Sequence, residues 1–243
     1  MEIERKNTER LKEPALKEGA ALFGVALMED ILDSLDLLSP KVKTGLIYGV
    51  SLGVRLSRRI LEDVEDHPTK LYYYHYRQLN YTLDRAALKV VDFIQTSGYQ
   101  ALPIPSSQTV DWKNQRGHLS HKAVGRRAGI GWMGRNNLLV NSTYGAQIRY
   151  VTVLTDMPLS ASSPIEDACG DCRACSDVCP AGAIGSSWES FNRERCLEKL
   201  KEFSKRHNIG HYICGICVRA CYGSKKMLPP NHRSLKTSSK IHS

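Results

Sequence analysis

The first 168 residues of this 243-residue chain contain no cysteine, yet eight follow, all between Cys169 and Cys221. A fold stapled throughout by disulfides is excluded, because most of the chain would build its core without them. Long apolar runs are also missing, none approaching the ~18 residues of a membrane-spanning helix. The N-terminal MEIERKNTERLKEP is charged and lacks the apolar stretch of a secretory leader. No membrane association is expected, and a cytoplasmic location, where thiols stay reduced, is expected. Acidic residues are unevenly absent. Between Trp112 and Thr155 there is none, while Lys113, Arg116, Lys122, Arg126, Arg127, Arg135 and Arg149 all fall there. The segment 224–243 adds Lys225, Lys226, Arg233, Lys236 and Lys240, again with no acid.

An apolar share of 42% supports a sizeable core. The net charge of +9 favours anionic partners: nucleic acid, phosphate groups or an acidic electron donor. Residues 1–18 read as a polar lead-in broken at Pro14. AALFGVALM (20–28) and GLIYGVSL (45–52) read as buried strands, and 54–65 as a helix. The clearest helix is 82–95, where Leu83, Ala86, Ala87, Val90, Val91 and Ile94 recur at helical spacing and Gly98 supplies a stop. Before it, YYYHYRQLNY (72–81) suits either core packing or a pocket wall. ALPIP (101–105) reads as a short strand, and 106–121 as a polar loop with His118 and His121. LLV (138–140) and QIRYVTVLT (147–155) are expected to pair as a hairpin across NSTYGA.

These elements lack a regular βαβ rhythm, so the expected class is α+β, a mixed sheet with flanking helices. A boundary is expected in the Pro- and Ser-rich stretch near 157–168, giving an α+β domain over 1–160. A ferredoxin-like double-cluster domain would then occupy 161–223, and a disordered basic tail 224–243.

Cys169, Cys172, Cys175 and Cys179 form C-x2-C-x2-C-x3-C followed by Pro180. Three cysteines two residues apart let one tight loop wrap three corners of a 4Fe–4S cuboid, and the fourth ligates the other cluster in two-cluster ferredoxins. Cys214, Cys217 and Cys221 repeat the C-x2-C-x3-C pattern, with Cys196 upstream. By the crossover rule, one cluster takes Cys169, Cys172, Cys175 and Cys221, and the other Cys179, Cys196, Cys214 and Cys217. Structural zinc sites use paired C-x2-C knuckles instead, so two 4Fe–4S clusters are the expectation.

HKAVGRRAGIGWMGRNNLLVNSTYGAQIRYVTVLTDMPL (121–159), followed by the cysteine motif, resembles the epoxyqueuosine reductases and, more distantly, the iron–sulfur and cobalamin core of reductive dehalogenases. The resemblance covers roughly 20–222 and includes the upstream Cys196. It implies a base-off cobalamin, reduced through the two clusters, that removes an oxygen from the epoxide of a modified tRNA base. The implied corrin contacts are Ser106, Ser107, Gln108, Gly129, Gly131, Trp132 and Tyr144. The family's proton-donating aspartate falls on Gln115 here, so Asp111, His118 and His121 are the candidate acids. Cys221 is followed by Tyr222 where the family has proline. The chain is expected to be a short form without the family's C-terminal helical-repeat domain.

Three readings follow. The first is a cobalamin-dependent reductase fed by an external low-potential donor such as a ferredoxin or flavodoxin. The second is an electron-transfer partner of another corrinoid protein, with no cobalamin of its own. The third is a nucleic-acid-binding module, supported by the net charge, with structural clusters.

Overall fold

The structure, a computed structural model, describes residues 1–32, 35–166 and 168–223. The expected basic tail, 224–243, lies outside the described residues. In chain order the main elements are α1 (Glu2–Lys17), β1 (Leu22–Leu27), α2 (Pro40–Lys43), β2 (Tyr48–Arg55), α3 (Arg58–Glu62), α4 (Lys70–Thr96) and β3 (Ala101–Ile104). There follow α5 (His121–Arg127), β4 (Trp132–Met133), β5 (Leu139–Val140), β6 (Ile148–Thr155), α6 (Ala174–Asp177), α7 (Arg193–Arg206) and α8 (Ile216–Arg219).

A four-stranded sheet, ordered β1-β2-β6-β3, is the frame. The expected mixed sheet is instead antiparallel throughout. Its cause is the long helix between β2 and β3. A β2–α4–β3 crossover sets those two strands parallel, and β6 inserts between them, antiparallel to both. Because β6 is then hydrogen-bonded on both sides, it has no edge for 138–140. The expected hairpin therefore does not form: β5 pairs with β4, and Asn141 and Gly145 close a tight turn between β5 and β6.

Helix α4 is longer than its apolar pattern implied, running through the aromatic segment to Lys70. The Thr69 hydroxyl caps it by accepting from the Tyr72 backbone N–H at 3.1 Å. Its buried stripe, Leu79, Leu83, Ala86, Ala87, Val90, Val91 and Ile94, lies on the sheet with Val50, Leu52, Val151 and Val153. Helix α1 passes through Pro14 without ending, correcting the expected break. Leu11 and Ala15 are fully buried in the same cluster, and their burial offsets the missing Pro14 donor. The expected helix at 54–65 shrinks to α3, because β2 runs on to Arg55.

On the opposite face α5 sits close to the sheet. A Cβ at Gly24 would lie 2.5 Å from the Ala128 carbonyl oxygen, so only glycine admits this approach. The cysteine segment shares the main core: Phe203, Ile209, Ile213 and Ile216 join the cluster that contains Leu83 and Val151. No helix among the described residues is long and apolar enough to cross a membrane.

Leu83 has no exposed surface at the centre of the α4–sheet contact. Leu83→Ala is expected to lower stability by about 2–5 kcal/mol, read as a fall in urea midpoint.

Candidate functional site

The cysteine chain is organised by two short helices, α6 carrying Cys175 and α8 carrying Cys217, which pack on one another. The contact sorts the eight sulfurs. A small cavity of about 50 Å³ is lined by Cys169, Cys172, Cys175 and Cys221, with Trp132, Asn136 and Tyr222. A larger one, about 350 Å³, is lined by Cys179, Cys196, Cys214 and Cys217, with Tyr72, Tyr76, Lys122, Asn136 and Arg149. Electrostatic proximity divides them alike. Cys221 feels Cys175 and Cys169, while Cys214 feels Cys196 and Cys179. Cys217 feels Cys175 as well as its own group, so these two residues mark where the sets approach.

Burial is the main cause of the thiol shifts. It pushes Cys214 and Cys221 up to about 11, and Cys175, Cys196 and Cys217 upward too, with neighbouring cysteines adding to each rise. These five thiols ionise more readily beside compensating positive charge, which a metal centre supplies. Among the described residues, no three His, Cys, Asp or Glu side chains converge on a single-ion site. Four sulfurs spread around a cavity suit a multi-iron cluster better than one tetrahedral ion. Two N–H groups already point at sulfur: the Trp132 indole Nε1–H at Cys169 Sγ and the Ala183 backbone N–H at Cys179 Sγ, each at 3.4 Å.

The larger cysteine cavity continues into a cleft. One chamber, about 510 Å³, is lined by Thr109, Trp112, Gln115, Cys196, His211 and Tyr212 among others. A second, about 610 Å³, is lined by Met28, Leu35, Gln115, Arg116, His118 and Lys122 among others. Arg193 lines all three spaces, Gln115 the two chambers, and Lys122 links the second chamber to the cysteine cavity. Their volumes fall in the ordinary range for small-molecule sites. Arg193, at the start of α7, also donates to the carbonyls of Asn114 and Gln115, the latter at 2.8 Å, tying the cysteine segment to the 111–116 turn. Lys122 donates to the Asn137 carbonyl at 2.6 Å, and burial brings its ammonium down to about 8.

The candidate acids separate. His118 lines the second chamber, its Nδ1–H donating to the Leu37 carbonyl at 3.0 Å, which leaves Nε2 for a ligand. His121 lines none of the three spaces. Its Nε2–H donates to the Pro105 carbonyl and its Nδ1 accepts from the Thr152 hydroxyl, both at 2.9 Å. Burial takes this imidazole down to about 4, so it is neutral and fully engaged near pH 7. Asp111 closes a turn instead, accepting from the Asn114 backbone N–H at 3.0 Å and its side-chain amide at 2.7 Å. Those bonds hold its carboxyl below the usual range, and it lines no chamber. Trp112, Gln115 and Arg116 of that turn face the cleft, and Gln115 is the one that lines both chambers.

The expected corrin contacts divide too. Ser107 hydrogen-bonds Tyr76 at 3.1 Å, beside the cysteine cavity. Ser106 is buried, its N–H donating to Asp84 and its hydroxyl to the Asn80 carbonyl. Gln108 is exposed, with its carbonyl against Gly117. Gly129, Gly131, Trp132 and Tyr144, expected as corrin contacts, do not line the three cleft spaces. Gly129 fits against Ser163 and Gly131 against Val140, where a Cβ would clash with backbone. Trp132 is turned to Cys169, and Tyr144 lies under the Arg55 guanidinium. Sequence reasoning missed Gln115, Arg193 and Lys122 as cleft residues. Only the run of cations through Lys122 hinted at them.

The acid-free stretch acquires its counter-charges from elsewhere in the chain. Arg116 pairs with Asp36, and Arg127 with Asp30 at 2.9 Å. The three cleft spaces contain no carboxylate among their lining residues.

No family model matches the chain. An epoxyqueuosine reductase of Bacillus anthracis is 35% identical over 127 residues, 49% of this chain and 33% of that protein. The chain thus spans about a third of the length of such curated relatives. A reductive dehalogenase bound to 3-bromo-4-hydroxybenzoic acid superposes with a TM-score of 0.71 at 19% identity, covering 90% of this chain and 32% of that one. An epoxyqueuosine reductase bound to an epoxyqueuosine-modified tRNA stem loop gives 0.59 at 22%, covering 89% and 64%. Both share the fold.

The His121 shift has a definite pH signature. The unfolded chain takes up this proton near pH 6.5, the folded chain only near 4, so His121 contributes stability above pH 6.5 that is lost as pH falls toward 4. Between pH 7 and 5.5 the loss is about 1 kcal/mol, and His121→Gln is expected to flatten that part of the stability–pH curve in urea titrations.

Proposed function

We propose that this chain, epoxyqueuosine reductase-like in sequence and fold, is an iron–sulfur reductase. In this reading Cys169, Cys172, Cys175 and Cys221 hold one 4Fe–4S cluster, and Cys179, Cys196, Cys214 and Cys217 the other. The observation that carries it is the sorting of eight cysteines into two cavities of four. When bound, the clusters supply one-electron transfer from an external low-potential donor such as a ferredoxin or flavodoxin. In this reading residues 161–223 hold the clusters, and the cleft is walled by both that segment and the sheet-bearing residues 1–160.

The cleft suits cobalamin in its donor chemistry. Lys122 and Arg193 offer cations to a phosphate, Gln115, Ser120 and Asn137 meet amide side chains, and Tyr212 and Leu200 give apolar surface. When bound, cobalamin supplies a reducible cobalt centre for reductive bond cleavage. His118 Nε2 is placed to hold or release a proton at the chamber wall, and Arg193 fixes the turn that closes it. The relatives' names point to an epoxyqueuosine-modified tRNA as substrate. Tyr74, Tyr81 and Trp112 are exposed and suited to base stacking, with Arg77 between Tyr73 and Tyr81.

The carboxylate-free cleft favours one second reading, an electron-transfer partner that reduces another corrinoid protein and holds no cobalamin itself. Metal content separates the two. The reductase is expected to carry about eight irons and one cobalt per chain after anaerobic purification from cobalamin-supplied cells. Eight irons without cobalt after reconstitution would establish the carrier instead. Cys196→Ser is expected to lose about half the iron and to spare the set containing Cys169. Binding of the tRNA stem loop is expected to weaken steeply from 50 to 200 mM salt; salt-independent binding would count against phosphate contacts.

A further inference from the structure

Trp132 and Asn136 belong to the glycine-rich segment 128–136, and both face the cysteines. Trp132 is 2% exposed, and the polar atom of its indole is directed at Cys169 Sγ. A tryptophan recruited only to fill space has no need to aim its one donor at a sulfur. Asn136 is 4% exposed and lines both cysteine cavities. Its Oδ1 accepts from the Leu138 backbone N–H at 3.2 Å, which fixes the orientation of the amide. Nδ2 is then buried with no hydrogen-bond partner. Unpaired buried donors are rare in folded proteins, and one facing sulfur cavities has an evident acceptor class, thiolate or sulfide.

We propose that Trp132 and Asn136 set the reduction potentials of the two-cluster wire, Trp132 by donating its indole N–H to the Cys169 sulfur and Asn136 by donating its amide N–H to cluster sulfur between the two sets. The inference rests on the two-cluster reading above. Adding one electron makes a cluster more negative without making or breaking a bond. An N–H donor stabilises that state and raises the potential. The set containing Cys179 receives its donor from backbone, Ala183 N–H, which no side-chain substitution removes. The set containing Cys169 takes its donor from a side chain, so the two sets respond differently to mutation.

The test uses the full chain, purified anaerobically, with potentials read by EPR during dithionite titration. Trp132→Phe is expected to retain full iron and to move one cluster to a lower potential while the other stays put. Asn136→Leu is expected to lower at least one potential, again at full iron. Unchanged potentials in variants with wild-type iron would overturn the inference and leave the two-cluster reading intact. A wild-type chain with far fewer than eight irons after reconstitution would instead overturn that reading, and this inference with it. Should Trp132→Phe lose iron, the wild-type chain decides. With 15N-indole label, pulsed EPR of the reduced protein is expected to show 15N coupled to a cluster, and no coupling would overturn the Trp132 assignment.

Discussion

Eight cysteines gathered around two adjoining cavities are the constraint on which the rest of this structure turns. Five of these thiols, Cys175, Cys196, Cys214, Cys217 and Cys221, are pushed up by burial and resist ionisation without nearby positive charge. Short helices α6 and α8 cannot hold such a cluster alone, having one turn each. They are held because Ile213 and Ile216 sink into the core formed by α4 and the sheet. Tyr72, buried at the N-terminal end of α4, lies against Gly215, where a Cβ would come within 2.7 Å of its ring. The sheet, its covering helix and the cysteine scaffold therefore form one continuous body of packed side chains.

Much of this was legible in the sequence, and for an identifiable reason. Periodicity found the buried stripe from Leu83 to Ile94, because those residues face one uniform surface. Cysteine spacing suggested two groups of four, and the two cavities are lined by those same groups. Pairing partners were less visible. Nothing local in Leu139 and Val140 says that β6 is already hydrogen-bonded on both sides by β2 and β3. Pro14 misled similarly, since what carries the helix past it is the distant packing of Leu11 and Ala15.

The site shows the same division. Side chains suited to a role by chemistry alone, Asp111 and His121, are consumed by a turn and by hydrogen bonds to the Pro105 carbonyl and the Thr152 hydroxyl. The residues that line the cleft, Gln115 and Arg193, are distant in sequence and meet only because a guanidinium reaches carbonyls of the 111–116 turn. Glycines in the AGIGWMG segment do permit close approach, but to Ser163 and Val140 rather than to a ligand. Charge has its own non-local part: Arg116 and Arg127 of the basic stretch are paired with Asp36 and Asp30, which lie far upstream in sequence.

The crossing of the two cysteine sets has a consequence for the order in which the chain is made. Cys169, Cys172 and Cys175 leave the ribosome together, but their fourth partner, Cys221, is the last cysteine synthesised. Its place is set by the turn at Gly145, whose Cβ, were there one, would collide with the Cys221 carbonyl. The other set begins with Cys179 and must wait for Cys214 and Cys217. In the proposed pairing neither set can be completed until both nearly are. Cofactor loading then waits on the segment 214–221, and a chain made only as far as Cys196 has no complete site in which to trap iron.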